Sequence, residues 1–257
     1  MDQPAEIKFL GTAGARFAMA RQLRSSAGVF IQCNNKKIIL DPGPGTLVKL
    51  AHSRPRIDVN ALDAIILTHA HIDHSNDVNV LIDGMTDGGL HKKGALFAPR
   101  ECLEGENAVV LKYLRGFLEE IQILQEKQAY SVPGISFSTS CRHLHGVETY
   151  GIIFDMSGSK VSFMVDTKFF PELLDSYKDS DILIINVVLR QSHERIYHLS
   201  IEDVRELLGQ LKPRKAILTH FGMPVLEGKP WELAAQLTRD LGITVVAAND
   251  GMTVCLD

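Results

Sequence analysis

The segment Thr68-His69-Ala70-His71-Ile72-Asp73-His74 places three imidazoles and one carboxylate within six consecutive positions, directly after the apolar residues 62–67. Imidazole nitrogens and carboxylate oxygens at this density suit borderline divalent cations, of which Zn²⁺ is the leading candidate. In an extended segment His69 and His71 face one side. Asp73 and His74 then turn toward a neighbouring position, so that one short loop is able to supply two metal ions. The alternative is a solvated loop that gathers histidines by chance. We therefore predict a metal site here.

Length and composition fit a globular protein. The chain has 257 residues, of which 45% are hydrophobic and 23% charged, and we predict one domain over residues 1–257. The net charge of −4 argues against an extended nucleic-acid-binding face, which normally needs a basic surface. Residues 1–6 lack the pattern of a signal peptide, and no apolar stretch approaches a membrane span. We therefore expect a cytoplasmic protein without membrane contact.

Four cysteines, Cys33, Cys102, Cys141 and Cys255, lie far apart and form no Cys-x-x-Cys pair. We expect buried thiols in a reducing compartment, and neither disulfides nor a zinc cluster.

Local patterns predict alternating strands and helices. Predicted strands cover residues 6–10, 27–32, 37–40, 121–130 and 135–141, with a glycine turn at 11–14 and a hairpin turn at Asn34-Asn35. Residues 109–118 have helical spacing, 201–211 predict a helix capped by Ser200, and 231–241 predict a helix that ends at Gly242.

A weak internal repeat points to the architecture. Residues 64–69 (AIILTH) are matched by residues 215–220 (KAILTH), and each is an apolar strand that ends in Thr-His. Two further apolar strands end in carboxylates, at Asp41 and Asp166. Buried strands are continuous apolar runs, and ligands gather where such strands end. Four strands with His or Asp at their carboxyl ends therefore favour a layered α/β sandwich.

In this order the motifs resemble a metallo-β-lactamase-fold hydrolase over nearly the whole chain. His69, His71, Asp73 and His74 match the first motif of that family. His145, five residues before Tyr150-Gly151, is similar to the next motif in the ribonuclease Z and cyclic-phosphodiesterase branch. Asp166 and His220 match the last two motifs. The resemblance implies a four-layered αββα sandwich and a hydrolase with a binuclear metal centre.

The resemblance also implies a ligand set. His69, His71 and His145 would hold one metal ion, Asp73, His74 and His220 the other, and Asp166 would bridge them. Two such cations can share a water, lower its pKa and so activate it as hydroxide. Zinc is the most frequent metal in the family, and manganese and iron are alternatives.

Several assignments have alternatives. His143 competes with His145 for the third motif, and spacing favours His145. Asp166 can instead cap a turn, and a lone histidine such as His220 is often a core residue, although its Leu-Thr-His context repeats that of His69. Asp41 resembles the family's aspartate that orients the metal loop, and an ordinary turn residue is the alternative.

Asp73 and His198 are the candidate catalytic groups. His198 precedes the 201–211 helix, where similar phosphodiesterases place a histidine against the scissile phosphate, and a surface histidine beside a helix cap is the alternative. Arg16, Arg21 and Arg24 can line an anionic substrate pocket or lie in a solvated loop.

The motif around His145 indicates the branch of the family to which the chain is most similar. Thioesterase-like members usually have His-Thr-Pro-Gly-His-Thr, whereas this chain has His145-Gly146-Val147-Glu148-Thr149-Tyr150-Gly151. We therefore predict a phosphodiesterase that acts on a small molecule or nucleotide; residues 75–140 contain no evident tRNA-gripping arm. A thioesterase or lactamase of the same fold, and a metal-containing binding or sensing protein, are the alternatives. A homodimer is left open.

Overall fold

Two β-sheets packed face to face form the centre of the computed structural model, which describes residues 5–256. Each sheet has seven strands, and the apolar core between them draws residues from both. A second apolar cluster lies between each sheet and the helices on its outer face. The predicted αββα sandwich is confirmed, because a sheet that is apolar on both faces must be covered on both.

The first sheet has the order β14-β1-β2-β3-β4-β5-β6. Its strands are β1 (Ala5–Phe9), β2 (Val29–Cys33), β3 (Lys36–Leu40), β4 (Ala64–Ile66), β5 (Ala95–Ala98), β6 (Glu120–Ile123) and β14 (Thr253–Leu256). Strands β3 to β6 run parallel, and the other pairs are antiparallel.

The second sheet has the order β13-β12-β11-β10-β9-β8-β7. Its strands are β7 (Ala129–Val132), β8 (Ile135–Arg142), β9 (Tyr150–Met156), β10 (Ser159–Met164), β11 (Ile182–Asn186), β12 (Lys215–Thr219) and β13 (Thr244–Ala247). Strands β10 to β13 run parallel, so each sheet combines a parallel and an antiparallel half.

Nine α-helices connect or cover the strands in the described part of the chain. They are α1 (Ala15–Arg21), α2 (Thr46–His52), α3 (Ile72–Ser75), α4 (Val78–Met85), α5 (Arg100–Leu103), α6 (Glu172–Tyr177), α7 (Ile201–Leu211), α8 (Met223–Glu227) and α9 (Pro230–Leu241). Two 3₁₀ helices cover Val59–Ala61 and Lys112–Phe117.

Local signals with a strong stereochemical cause are confirmed. Asn34 and Asn35 both have positive φ, at 49° and 60°, as the tight turn between β2 and β3 requires. Helix α7 begins after Ser200 with a complete capping box, and α9 ends at Gly242, whose φ is 68°.

Two predictions from periodicity alone were wrong. The single strand predicted over residues 121–130 is two strands, β6 and β7, which belong to different sheets. Alternation continues through the crossover although the two segments pack in different places: Ile121 and Ile123 lie against the outer cluster of the first sheet, and Tyr130 and Val132 lie in the core between the sheets. The helical pattern of residues 109–118 forms only a short 3₁₀ helix, Lys112–Phe117.

The cysteines follow the prediction with one exception. All four are free thiols, and Cys33, Cys102 and Cys141 are buried, whereas Cys255 is exposed. Cys255 lies on the edge strand β14, where alternate side chains face away from the core. No helix within residues 5–256 is long and apolar enough to cross a membrane.

The start of α7 gives a test of the fold. The Ser200 hydroxyl accepts a hydrogen bond from the Asp203 backbone N–H at 3.1 Å, and the Asp203 carboxylate accepts one from the Ser200 N–H at 2.8 Å. We expect Ser200→Ala to lower the free energy of unfolding by about 1 kcal/mol, measured by urea denaturation. Ser200→Thr keeps the hydroxyl and is the control. Equal midpoints for Ser200→Ala and the natural protein would contradict the capping role.

Candidate metal centre

Both sheets place polar side chains at the carboxyl ends of parallel strands. In the first sheet Asp41 follows β3, and Thr68-His69 follow β4 by two residues. In the second sheet Asp166 follows β10, and His220 follows β12. Because the two sheets face each other, the four strand ends predicted from the sequence meet at one site.

Asp41 organises the first half of this site. Its carboxylate accepts hydrogen bonds from the Thr68 backbone N–H and hydroxyl, each at 2.7 Å. The same carboxylate lies 2.9 Å from Nδ1 of His74. Asp41 has a φ of 50°, an uncommon left-handed conformation for a residue other than glycine, which turns the chain at the end of β3. Of the two interpretations of Asp41, orientation of the metal loop fits these contacts.

In three imidazoles, Nδ1, the nitrogen that points away from the centre of the cluster, takes part in a hydrogen bond. Nδ1 of His74 contacts Asp41, Nδ1 of His69 lies 3.0 Å from the Thr68 hydroxyl, and Nδ1 of His145 lies 2.8 Å from the Tyr197 carbonyl. The carboxylate and the carbonyl only accept, and the Thr68 hydroxyl has already given its proton to Asp41. In the neutral imidazoles, Nδ1 therefore carries the proton and Nε2 carries a lone pair.

The free nitrogens converge. Nε2 of His145 lies 2.9 Å from Nδ1 of His71, and Nε2 of His74 lies 2.9 Å from Nε2 of His220. Among the described residues, Nε2 of His69 and Nδ1 of His220 are buried without a hydrogen-bond partner. Buried polar atoms without partners are rare in folded proteins, and a bound cation satisfies them.

Asp73 and His220 meet at the turn after β1. The Asp73 carboxylate accepts a hydrogen bond from the Ala15 backbone N–H at 3.2 Å and lies 3.5 Å from Nε2 of His220. His220 has a φ of 58° and packs against Gly14 so closely that a Cβ there would lie 2.0 Å from the His220 ring. The glycine turn predicted at 11–14 thus makes room for a site residue.

Asp166 lies at the centre of the cluster and is 2% exposed. Its Oδ2 atom is surrounded by imidazole nitrogens, at 3.9 Å from His69, 3.3 Å from His74, 3.4 Å from His145 and 3.7 Å from His198. Its Oδ1 atom lies 3.3 Å from Nδ1 of His220. A carboxylate between two groups of imidazoles is placed as a bridging ligand would be.

Burial and charge set the protonation states that metal binding needs. Burial lowers the pKa of His69, His71 and His145, which favours neutral imidazoles with free lone pairs. Burial raises the pKa of Asp166, but the positive charges of nearby histidines outweigh it and hold the pKa well below its usual range. Neutral imidazole and ionised carboxylate are the ligand forms.

His74 differs from the other imidazoles. Burial lowers its pKa, but the carboxylates of Asp166, Asp41 and Asp73 together raise the pKa well above the ordinary value. These carboxylates thus favour the protonated form of His74, and a cation at Nε2 has to displace that proton.

Among the described residues, four groups of three ligand atoms lie within 4.8 Å of one another. Two of them are Asp41, His69 and His74, and His145, Asp166 and His198. The other two are His69, His71 and His145, and Asp73, His74 and His220. These are the two sets implied by the family resemblance, and Asp166 lies between them. The donor atoms, their burial and the unpartnered nitrogens fit divalent cations, while the role of each residue as a ligand stays a prediction.

The structure separates His145 from its competitor. The strand β8 ends at Arg142, so both histidines lie in the segment that follows the strand. His143 points into the protein, where Nε2 lies 2.8 Å from the Tyr177 hydroxyl and Nδ1 lies 3.2 Å from the Asp166 carbonyl. Burial lowers the pKa of His143 to about 4. His143 supports the backbone behind Asp166, and His145 faces the cluster.

His198 also lies at the cluster, on the more exposed side. Its ring centroid is 4.8 Å from that of His145 and 6.1 Å from that of His220. Its side chain is 18% exposed, whereas that of Asp166 is 1% exposed. The interpretation of His198 as an isolated surface histidine does not fit this position.

The three arginines that the sequence offered for a substrate pocket differ in their burial. Arg16 and Arg21 are exposed on α1. Arg24 is half-buried and donates hydrogen bonds to the Thr12 hydroxyl at 2.9 Å and to the Ala248 carbonyl at 2.8 Å. Its guanidinium also stacks 5.2 Å from the centre of the Phe221 ring. Arg24 therefore ties the glycine turn to the segment after His220 through its Nη1 atom.

Sequence reasoning missed residues that hold the ligands. Asn186 donates a hydrogen bond to Oδ1 of Asp166 at 2.9 Å. The signal was present, because Ile182–Asn186 is another apolar strand that ends in a polar residue. The carbonyl of Tyr197 and the hydroxyl of Tyr177 had no such signal, because only the folded chain brings them to their histidines.

The chain is similar to known proteins over most of its length. Over 257 aligned residues the chain is 30% identical to the uncharacterised protein MJ1374 of Methanocaldococcus jannaschii. The alignment covers 97% of this chain and 94% of that protein. The chain is also 22% identical over 284 aligned residues to ribonuclease Z of Kineococcus radiotolerans. This alignment covers 91% of this chain and 88% of that protein.

A solved structure shows the same fold. The metallo-β-lactamase fold protein YhfI of Bacillus subtilis superposes with a TM-score of 0.82 and 18% identity, covering 98% of this chain and 99% of that chain. The sequence also matches the beta-lactamase superfamily domain over residues 36–221, a range that contains all of the strand ends described above. Since this match spans most of the sequence, the chain belongs to the beta-lactamase superfamily, with the metallo-β-lactamase type of fold.

Proposed function

We propose that this protein is a metal-dependent hydrolase that binds two divalent cations and cleaves phosphodiester bonds. The observation that carries the proposal is Asp166, whose Oδ2 atom lies within 3.9 Å of imidazole nitrogens from both groups of ligand atoms. A carboxylate shared by two groups is typical of sites in which two cations act on one substrate.

The chemistry of such a site suits esters of phosphoric acid. A bound pair of cations supplies a water activated for attack and neutralises negative charge on the phosphate. Ribonuclease Z, to which the chain is similar, is a nuclease by name, and this relation supports the phosphodiester class. Zinc fits the nitrogen-rich donor set best, and manganese and iron remain alternatives.

The residues of this chain have separate tasks in the proposal. His69, His71 and His145 hold one cation, and Asp73, His74 and His220 hold the other. The Asp73 carboxylate, fixed by the Ala15 N–H, also orients the attacking group.

His198 acts on the substrate. Its Nδ1 atom lies 3.7 Å from Asp166, and burial lowers its pKa, so the ring is neutral near pH 7. The neutral ring donates its N–H hydrogen bond to the phosphate and so stabilises the negative charge that develops there during cleavage.

Metal analysis and a substrate panel test the proposal. Protein purified without chelators should contain about two divalent cations per chain and hydrolyse bis(p-nitrophenyl) phosphate. Thioester and lactam substrates test the other hydrolases of this fold. Bound metal without turnover on any of the three would favour the binding or sensing alternative, and protein free of transition metals would refute the proposal.

Asp166→Ala should remove the shared ligand. We expect hydrolysis to fall by about 100-fold or more and the metal content to decrease, measured by elemental analysis and initial rates. Asp155→Ala, at an exposed position on β9, is the control and should change neither value. Normal turnover by Asp166→Ala would show that this residue bridges no metal.

His198→Ala should separate catalysis from metal binding. We expect turnover to fall by roughly 100-fold while both metals stay bound, because His198 lies outside the two proposed ligand sets. His193→Ala, at an exposed position of the same loop, is the control. Loss of metal in His198→Ala would instead identify a ligand.

A further inference from the structure

Asn186 stands at the carboxyl end of β11, between the two strands that bring Asp166 and His220 to the site. Strand β11 pairs with β10 on one side and with β12 on the other, and Asn186 is in register with Thr219. The three parallel strand ends therefore place Asp166, Asn186 and His220 in one row.

The hydrogen bond of Asn186 fixes the rotation of the Asp166 carboxylate through Oδ1, the oxygen that also lies 3.3 Å from Nδ1 of His220. The Asn186 side-chain NH₂ donates to Oδ1 at 2.9 Å, and Oδ2 is the atom near His69, His74, His145 and His198. The ionised carboxylate only accepts hydrogen bonds, so the amide nitrogen, and not its oxygen, must face it. Rotation of the carboxylate about its Cβ–Cγ bond would break this hydrogen bond.

The amide is suited to this task because it is neutral. A lysine or arginine at position 186 would neutralise Asp166 and oppose the cations. A second carboxylate would repel Asp166 at a distance of about 3 Å. A carboxamide fixes the orientation of the ligand and leaves its charge available to metal.

We propose that Asn186 is a positioning residue that holds Asp166 in the orientation in which two cations share it. This inference rests on the proposed two-metal site. Because Asp166 serves both cations, the loss of its orientation should lower the affinity for the two metal ions. It should have a smaller effect on the stability of the fold. It should also lower kcat more than it raises KM, since Asn186 acts through Asp166.

Asn186→Leu tests this inference, because leucine has a similar size and cannot donate a hydrogen bond. We expect the affinity for the more weakly held Zn²⁺ ion to fall by about 10- to 100-fold, measured by competition with a chromophoric chelator. The midpoint of thermal unfolding of the metal-free chain should change little. Asn186→Gln keeps the carboxamide and should restore part of the affinity.

Asn79→Leu is the matched control. Asn79 is half-buried on α4, and its side chain donates to the Val109 carbonyl at 2.8 Å and accepts from the Leu111 N–H at 2.9 Å. This variant loses two hydrogen bonds outside the cluster, whereas Asn186→Leu loses the one to Asp166, so stability should fall without a change in metal affinity.

The outcomes separate the two proposals. Natural protein that binds two zinc ions but cleaves no phosphodiester would refute the proposed substrate and leave the test of Asn186 intact. Equal zinc affinities for Asn186→Leu and the natural protein would overturn the positioning role. If Asn186→Leu does not fold, the variants Asn186→Gln and Asn186→Asp replace it in the test. Equal zinc affinity in all folded variants overturns the positioning role. Weaker zinc binding by Asn186→Asp than by Asn186→Gln supports the positioning role.

Discussion

The arrangement of the site depends on hydrogen bonds to the outer nitrogens of buried imidazoles. Asp41, Thr68 and the Tyr197 carbonyl each engage Nδ1 of a histidine, and Asp41 also receives the Thr68 hydroxyl proton. With the proton held on the outer side, the neutral rings of His69 and His145 present a lone pair to the centre of the cluster, and His74 does so once its second proton is lost. The acceptors behind the histidines therefore matter as much as the histidines themselves.

The fold supplies this constraint through its strand ends. Parallel strands in both sheets end at the same edge, and the chain must leave each of them sharply to expose a side chain there. Asp41 and His220 leave in the left-handed conformation, with φ of 50° and 58°. Such conformations cost of order 1–3 kcal/mol in non-glycine residues and persist where surrounding contacts enforce them. At His220, the close approach of Gly14 is one of those contacts.

The sequence allowed the fold and most of the cluster to be predicted because their signals are local. The His69–His74 motif, the Ser200 cap and the apolar strands before Asp166 and His220 each act within a few residues. The failures share one cause, which is dependence on distant parts of the chain. Alternation over residues 121–130 does not reveal a change of sheet, and the spacing of His143 and His145 does not show that Tyr177 captures one of them. Asn186 also lies at the end of an apolar strand, but the search for strand ends considered only His and Asp, the residue types expected to bind metal.

Charge balance links the metal-free and metal-bound forms of the site. Asp41, Asp73 and Asp166 crowd around His74, and although burial opposes it, their charges raise the pKa of His74. Burial disfavours uncompensated charge, so the proton on His74 offsets part of the negative charge in the metal-free chain. Divalent cations neutralise the same carboxylates and need the lone pair that this proton occupies. In the proposed site, proton and metal therefore compete for one nitrogen, Nε2 of His74.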